Sequence, residues 1–246
     1  MLNALDAHQK FAATLLGLFL LVWIALAIDP WYRDDWLLEN VLVFLLVPLL
    51  VLGYRRLPLS RISYTCIFLF LCLHEVGAHH TYAEVPYDAW AEKVFGTGIS
   101  EHFGWQRNHF DRLVHFLYGL LLTYPVREVF LRLTGAGGFW GYLFPLLVVM
   151  STSMAFELFE WAAAVLFGGE LGMAYLGTQG DEWDAHKDMW LATCGALGAT
   201  VIIALVHKTL DRDFAREWAE SLRVKHAEPL GETAIARLLR ENENDN

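Results

Sequence analysis

Basic residues are scarce in this chain. Lys and Arg number 18 against 28 Asp and Glu, a formal net charge of −10 over 246 residues. That balance excludes a generally basic nucleic-acid surface, so no nucleic-acid partner is expected. Cysteine is scarcer still. Cys66, Cys72 and Cys194 lie in apolar stretches, with neither metal-finger spacing nor a disulfide framework, and they read as small core residues. No internal repeat is present, so an inverted-repeat transporter has no support in the sequence. What the chain has is apolar surface: 56% hydrophobic and 14% aromatic residues, with a mean hydropathy of +0.35. An ordinary soluble domain is less apolar, and the composition points to a polytopic membrane protein.

A run of about 20 apolar residues crosses a bilayer. The expectation is an all-α transmembrane bundle of about six spans: Phe11–Ile28, Leu37–Tyr54, Ile62–Ala78, Phe110–Phe130, Phe139–Phe167 and Met189–Val206. Glu39 and Asn40 shorten the purely apolar part of the second, and the fifth is long enough to need tilt or protrusion. Ala25-Leu26-Ala27 resembles a signal-peptide cleavage site, but Lys10 is the only basic residue upstream, which favours a retained helix. Residues 1–206 form the bundle on this reading. Residues 207–246 form a cytoplasmic amphipathic tail, with Phe214, Trp218 and Leu222 on one stripe and a disordered end over Glu241–Asn246. That stripe fits either the membrane surface or a face packed on the bundle or a partner. Tyr87, Trp90 and Val94 fall at helical spacing in the long connection Thr81–His109, predicting a short helix at the headgroups.

Basic residues set orientation. Arg55, Arg56 and Arg61, then Arg127 and Arg132, then Lys208, Arg212 and Arg216 alternate with acidic connections. The acidic ones hold Asp29, Asp34 and Asp35; Glu84, Asp88, Glu92 and Glu101; and Glu170, Asp181, Glu182 and Asp184. Both termini are therefore expected in the cytoplasm, with the acidic connections outside.

Charge in hydrocarbon costs roughly 2.5–3.5 kcal/mol per group on insertion scales. Even so, four of the six stretches carry acids or histidines at helical spacing. His74 lies roughly 18 Å up the third span and Glu157 roughly 27 Å up the fifth, at 1.5 Å per residue. The fourth and sixth spans begin with their polar groups, so all four sets are expected in the outer leaflet. Residues four apart share a helix face, which pairs Glu75 with His79, Asp111 with His115, and Asp184 with Asp188; Glu157 and Glu160 pair at three. Adjacent turns spaced this way can present two ligands to one ion.

Each group has a competing reading. His74-Glu75-Val76-Gly77-Ala78-His79 has its histidines five apart, which fails the zinc-protease motif. Glu75 remains a candidate general base and His79 a candidate ligand, while His74 or His80 alone reads better as a hydrogen bond to a neighbouring helix. Asp111 can orient His115 and raise its basicity, or serve only the helix N-terminus. Gly119, on the face of His115, permits close helix approach. Glu157 and Glu160 lie far from solvent, and their structural alternative is a salt bridge to Arg112 or Arg107. Gly177-Thr178-Gln179-Gly180-Asp181-Glu182-Trp183-Asp184 reads as a tight polar turn into the last span, where Asp184 can cap the helix. The acids suit Mg²⁺, Ca²⁺ or Mn²⁺ and the histidines suit Zn²⁺ or Fe²⁺, so a divalent ion of open identity is the expected cofactor.

Four stretches carry a family resemblance: His79-His80-Thr81-Tyr82-Ala83-Glu84-Val85-Pro86; Gln106-Arg107-Asn108-His109-Phe110-Asp111-Arg112-Leu113; Glu157-Leu158-Phe159-Glu160-Trp161; and Gly177 through Asp181, with Trp183-Asp184 and Asp188-Met189. At these residues the chain resembles the bacterial YjdF-like inner-membrane family, over roughly His74 to Gly198. The resemblance implies a multi-pass inner-membrane protein and supplies no activity. A weaker similarity is to VanZ-like envelope proteins, whose Asp-Lys-x-x-His-Phe resembles Asp111-Arg112-Leu113-Val114-His115-Phe116 with Arg112 in place of Lys. It favours an envelope or lipid role by analogy of fold.

Three functions compete. The first is an enzyme acting on a lipid or lipid-linked substrate, with Glu75, His115, Glu157 and Glu160 catalytic. His79, Asp111, His115, Glu157, Glu160, Asp184 and Asp188 would then hold a metal. The second is a proton- or ion-coupled transporter, and the third a structural or sensory membrane protein. The oligomeric state is left open.

Overall fold

The computed structural model describes residues 6–169, 172, 176–210, 214–225 and 229–244. Among them the chain is helical and has no strands. Long apolar runs make the helices, and local polar chemistry sets their ends. Helix α1 (Ala7–Ala27) starts at a reciprocal cap: Asp6 accepts the Gln9 amide at 2.7 Å, and the Gln9 side chain accepts the Asp6 amide at 3.0 Å. Helix α2 spans Arg33–Gly53 and contains Pro48. The Ser60 hydroxyl caps α3 (Arg61–His80) by accepting the Ser63 amide. Two short helices, α4 (Tyr87–Phe95) and α5 (Ile99–Phe103), fill the long connection, and α4 is the short helix expected there. Helices α6 (Phe110–Thr134) and α7 (Trp140–Phe167) follow, then α8 (Asp184–Leu210).

Among the described residues five helices are long and apolar enough to cross a membrane: α1, α2, α3, α7 and α8. The expected fourth span, Phe110–Phe130, lies within the 25-residue α6, which is not among the five. It sits instead at the centre of the bundle, against α3, α7 and α8. Helix α1 packs on α3, and α2 packs mainly on α3. The expected last span starts five residues early, at Asp184, because the polar turn before it feeds directly into helix.

The closest crossing is between α6 and α8, where small residues bring backbone onto backbone. A Cβ on Gly119 would lie 1.9 Å from the Ala192 carbonyl oxygen, and one on Gly195 would lie 2.0 Å from that of Phe116. The basic connections share one end of the bundle. There the Arg132 guanidinium donates to the Pro58 carbonyl, and Glu128 accepts from the Ser60 amide and the Ser63 hydroxyl.

The tail supplies α9 (Phe214–Ser221), which docks on the α6–α7 turn. Glu217 accepts the Gly138 amide at 3.0 Å, Ser221 accepts the Phe139 amide at 2.9 Å, and Trp218 packs on Phe139 and Tyr142. Phe214 and Trp218 of the apolar stripe therefore face the bundle, while Leu222 is exposed. Helix α10 (Leu230–Asn244) continues through part of the stretch expected to be disordered. Asp245 and Asn246, like Glu170 and Arg212, lie outside the described residues.

Candidate functional site

The polar groups meet at the opposite end. Two connections clasp each other there and fix the starts of α6 and α8. The Asn108 amide donates to Gln179 at 2.9 Å, and the Gln179 side chain donates back to the Asn108 carbonyl at 3.1 Å. Asn108 also donates to the Val85 carbonyl and accepts the Phe110 amide, which starts α6. Gln179 holds a positive φ of 47°, between Gly177 at 58° and Gly180 at 83°, so this turn needs its glycines.

Charge completes the clasp. Arg107 pairs with Asp184, and Arg112 with Asp181; Arg112 also reaches Asp184 at 3.3 Å, and Lys187 reaches Asp181 at 2.5 Å. Both arginines are therefore engaged with these aspartates and pair with neither Glu157 nor Glu160 among the described ion pairs.

The hydrogen bond from Lys187, followed by that from the Trp183 amide, holds the Asp181 carboxyl well below the usual carboxylate range. A carboxyl depressed in the folded state adds stability above its unfolded pKa of about 3.9, and that stability fades as pH falls toward the folded value. The melting-temperature gap between wild type and Asp181→Asn is expected to be flat from about pH 5 to 8 and to shrink below about pH 4. A gap that widens in acid would contradict this assignment.

Behind the clasp lies a buried constellation. Asp111, His115 and Asp188 each offer a ligand atom, and these atoms all lie within 4.8 Å of one another. His115 Nε2 is 3.5 Å from Asp111 and 3.6 Å from Glu157. Glu160, one turn beyond Glu157, lies beside it. The close α6–α8 crossing brings the first turns of those helices together, and α7 delivers the glutamates from its C-terminal half. Asp188 Oδ1 and Glu157 Oε1 are buried without a hydrogen-bond partner, the condition in which a carboxylate calls for a cation or a proton.

Three of the expected site residues stand elsewhere. Asp184 is 4% exposed and sits under the two arginines. His79 donates from Nδ1 to the Leu26 carbonyl at 2.8 Å, tying α3 to α1. Glu75 is fully buried beside Asn40 and Trp36. His74 binds a neighbouring helix, donating to the Glu39 carbonyl at 3.2 Å while Tyr82 donates to its other nitrogen at 2.5 Å.

Glu39 and Asp35 are the residues the sequence hid. In the apolar run of α2 Glu39 reads as a defect of the span, yet it is 4% exposed with an unpartnered oxygen, and Asp35 is 1% exposed with two. A buried acid without a basic residue at helical spacing was the available signal. The constellation opens into a cleft of about 570 Å³ between α2 and α7, floored by α3 and α6. Glu39, Asp111, His115 and Glu160 line its polar end; Leu42, Leu45, Leu49, Phe70, Leu122 and Phe156 line the rest.

This fold and site define a polytopic helical membrane protein with a buried acid–histidine centre beside a largely apolar cleft. The chain belongs to the family described as "Predicted membrane protein (DUF2238)", whose model matches residues 11–209. It is similar to the inner membrane protein YjdF of Escherichia coli (strain K12), with 36% identity over 188 residues, covering 76% of this chain and 86% of that one. No solved structure matches it. The protein is a multi-pass inner-membrane protein, and its membrane-facing surface meets lipid.

Proposed function

We propose that this protein is a membrane-embedded enzyme that uses a divalent metal ion to act on a lipid or lipid-linked substrate of the cell envelope. One observation carries the reading: Asp111, His115 and Asp188 converge at the polar end of an apolar cleft, the first half-buried and the other two buried. Two carboxylates and an imidazole suit a transition metal or zinc better than calcium, and the unpartnered oxygens of Asp188 and Glu157 fit a cation. Such an ion supplies a Lewis acid and an activated water. Asp111, His115 and Asp188 would hold the ion, Glu157 is placed beside it to take a proton, and Glu160 supports Glu157. The arginine-held Asp181 and Asp184 keep the helix starts in register. The positive-inside expectation favours this end outside, so the substrate would be reached from the outer leaflet.

Metal analysis of the purified protein tests the proposal. About one equivalent of a divalent metal per chain is expected, falling close to zero in Asp188→Asn and in His115→Ala. Wild-type protein without stoichiometric metal after growth in metal-replete medium would sink the metal-assisted form. Ion-coupled transport is the weaker reading. Further along the bundle the Thr123 hydroxyl is spent on the Gly119 carbonyl, and the Tyr118 and Thr152 hydroxyls on each other. A pH-dependent flux in vesicles would reverse the order.

A further inference from the structure

The polar end of the α2–α7 cleft has acceptors to spare and few donors. Glu39, Asp111 and Glu160 bring carboxylates to it. Several lining groups that could donate are already used: Tyr82 donates to His74, His74 donates to the Glu39 carbonyl, and Tyr118 and Thr152 bond to each other; His115 lies between Asp111 and Glu157, and Ser153 keeps an unpartnered hydroxyl. Arg107 and Arg112 are held by Asp181 and Asp184. Glu39 stands out in this setting. It is on α2, across the cleft from α7, 4% exposed, and its Oε2 has no partner. The Tyr82–His74 chain ends on its own backbone carbonyl, which ties this turn of α2 to α3. A buried acceptor left unpaired is costly, and a ligand that brings a donor removes that cost.

The rest of the cleft has the opposite character. From Glu39 to Leu49 its α2 wall runs ten residues, about 15 Å of helix, and Leu42, Leu45 and Leu49 face it. Phe156 and Phe159 of α7 form the facing wall. Leu45 and Leu49 line the cleft and are also 65% and 67% exposed on the outside of the bundle. In a membrane-spanning helix that outside is lipid, so the cleft is open sideways to the hydrocarbon. Helix α2 is held mainly by α3, which leaves its α7 side free.

We infer that the cleft binds a single membrane amphiphile, its hydrocarbon tail between α2 and α7 and its head, rich in amine or hydroxyl donors, against Glu39. This rests on the proposed lipid-directed function and adds the ligand's class and a head-binding residue. Glu39 thus selects what enters, a task separate from that of the Asp111–His115–Asp188 centre.

The test is photolabelling in phosphatidylcholine nanodiscs, with diazirine-tailed probes carrying three heads: an ammonium, a glycerol, and a methyl ester without donors. Chelator-treated protein is used, so the outcome does not depend on whether a metal binds; metal content reports separately on the enzymatic reading. The donor-bearing probes are expected to label the facing walls at Leu45–Leu49 and Phe156–Phe159. The ammonium and glycerol arms show which donor is preferred, and the ester labels about five- to tenfold less, the worth of one hydrogen bond. Glu39→Leu, which keeps the bulk and removes both acceptor oxygens, should lower donor-probe labelling toward the ester's level. Leu45→Trp, at an exposed position that leaves the core intact, should abolish wall labelling. Leu52→Trp, 79% exposed on the same helix and outside the cleft, should leave it unchanged. Equal labelling by all three heads, or labels that persist in Leu45→Trp, would overturn the inference.

Discussion

Gly195→Ala is expected to destabilise the bundle by about 3 kcal/mol or more and to empty the metal site with it. One methyl group does this because it has nowhere to go. The new Cβ would lie 2.0 Å from the Phe116 carbonyl oxygen and 2.8 Å from the Leu120 amide nitrogen, both backbone atoms of α6. Overpacking ordinarily costs about 1–3 kcal/mol because side chains turn aside; backbone has no rotamer to change, so the helices must part. Parting α6 from α8 separates Asp111 and His115 from Asp188. Gly198→Ala, one turn along the same helix, is the matched control. Its nearest neighbour would be the tip of the Leu120 side chain at 3.8 Å, so it should be neutral or stabilising by up to about 1 kcal/mol, the helix-propensity gain. Denaturation midpoints and metal content of the two variants check the pair. Equal behaviour would show that the crossing is looser than described.

Arg107→Ala is expected to be nearly as damaging, at about 3–5 kcal/mol, the usual loss when one partner of a buried ion pair is removed. Arg107 and Asp184 are 12% and 4% exposed at their side chains, so Asp184 cannot recover its lost partner from water. Arg112, 3.3 Å away, softens the loss and is already shared with Asp181. The informative comparison is the double variant Arg107→Ala/Asp184→Ala. If the single loss is mainly a stranded carboxylate, the double should recover a large part of the stability. A double variant no better than the single would mean that Arg107 acts through its bond to the Thr178 carbonyl instead.

The spans were legible because an apolar run long enough to cross a bilayer can fold only as helix in hydrocarbon. The weak run was the instructive one. In α2 the pattern registers Glu39 as an interruption, since no local spacing reveals that α3 and α6 will surround it. The pairs four apart on α6 and α8 predicted shared faces, and Gly119 predicted a close approach. What the spacing could not supply was the partner of each charge. Arg107 and Arg112 read equally well as partners of Glu157 or Glu160, and only the clasp between residues 106–112 and 177–184 commits them to the aspartates. His79 was likewise readable as a ligand, because its bond to the Leu26 carbonyl joins residues 53 apart.

The clasp also sets an order of events during synthesis. Helix α6 enters the membrane carrying Asp111, Arg112 and His115, and it is the long central helix that falls outside the five apolar ones. Partners for its charges arrive late: Asp184 follows Arg112 by 72 residues. At about 5–20 residues per second that is roughly 4–15 s of translation. During that interval α6 must wait at the membrane boundary or lean on α3 and, once it is made, α7. Its settled position is a consequence of α8 appearing, so a cysteine introduced into α6, with the native cysteines replaced, should react with water-borne thiol reagents in a chain stopped before Asp184 and be protected in one extended through Leu210.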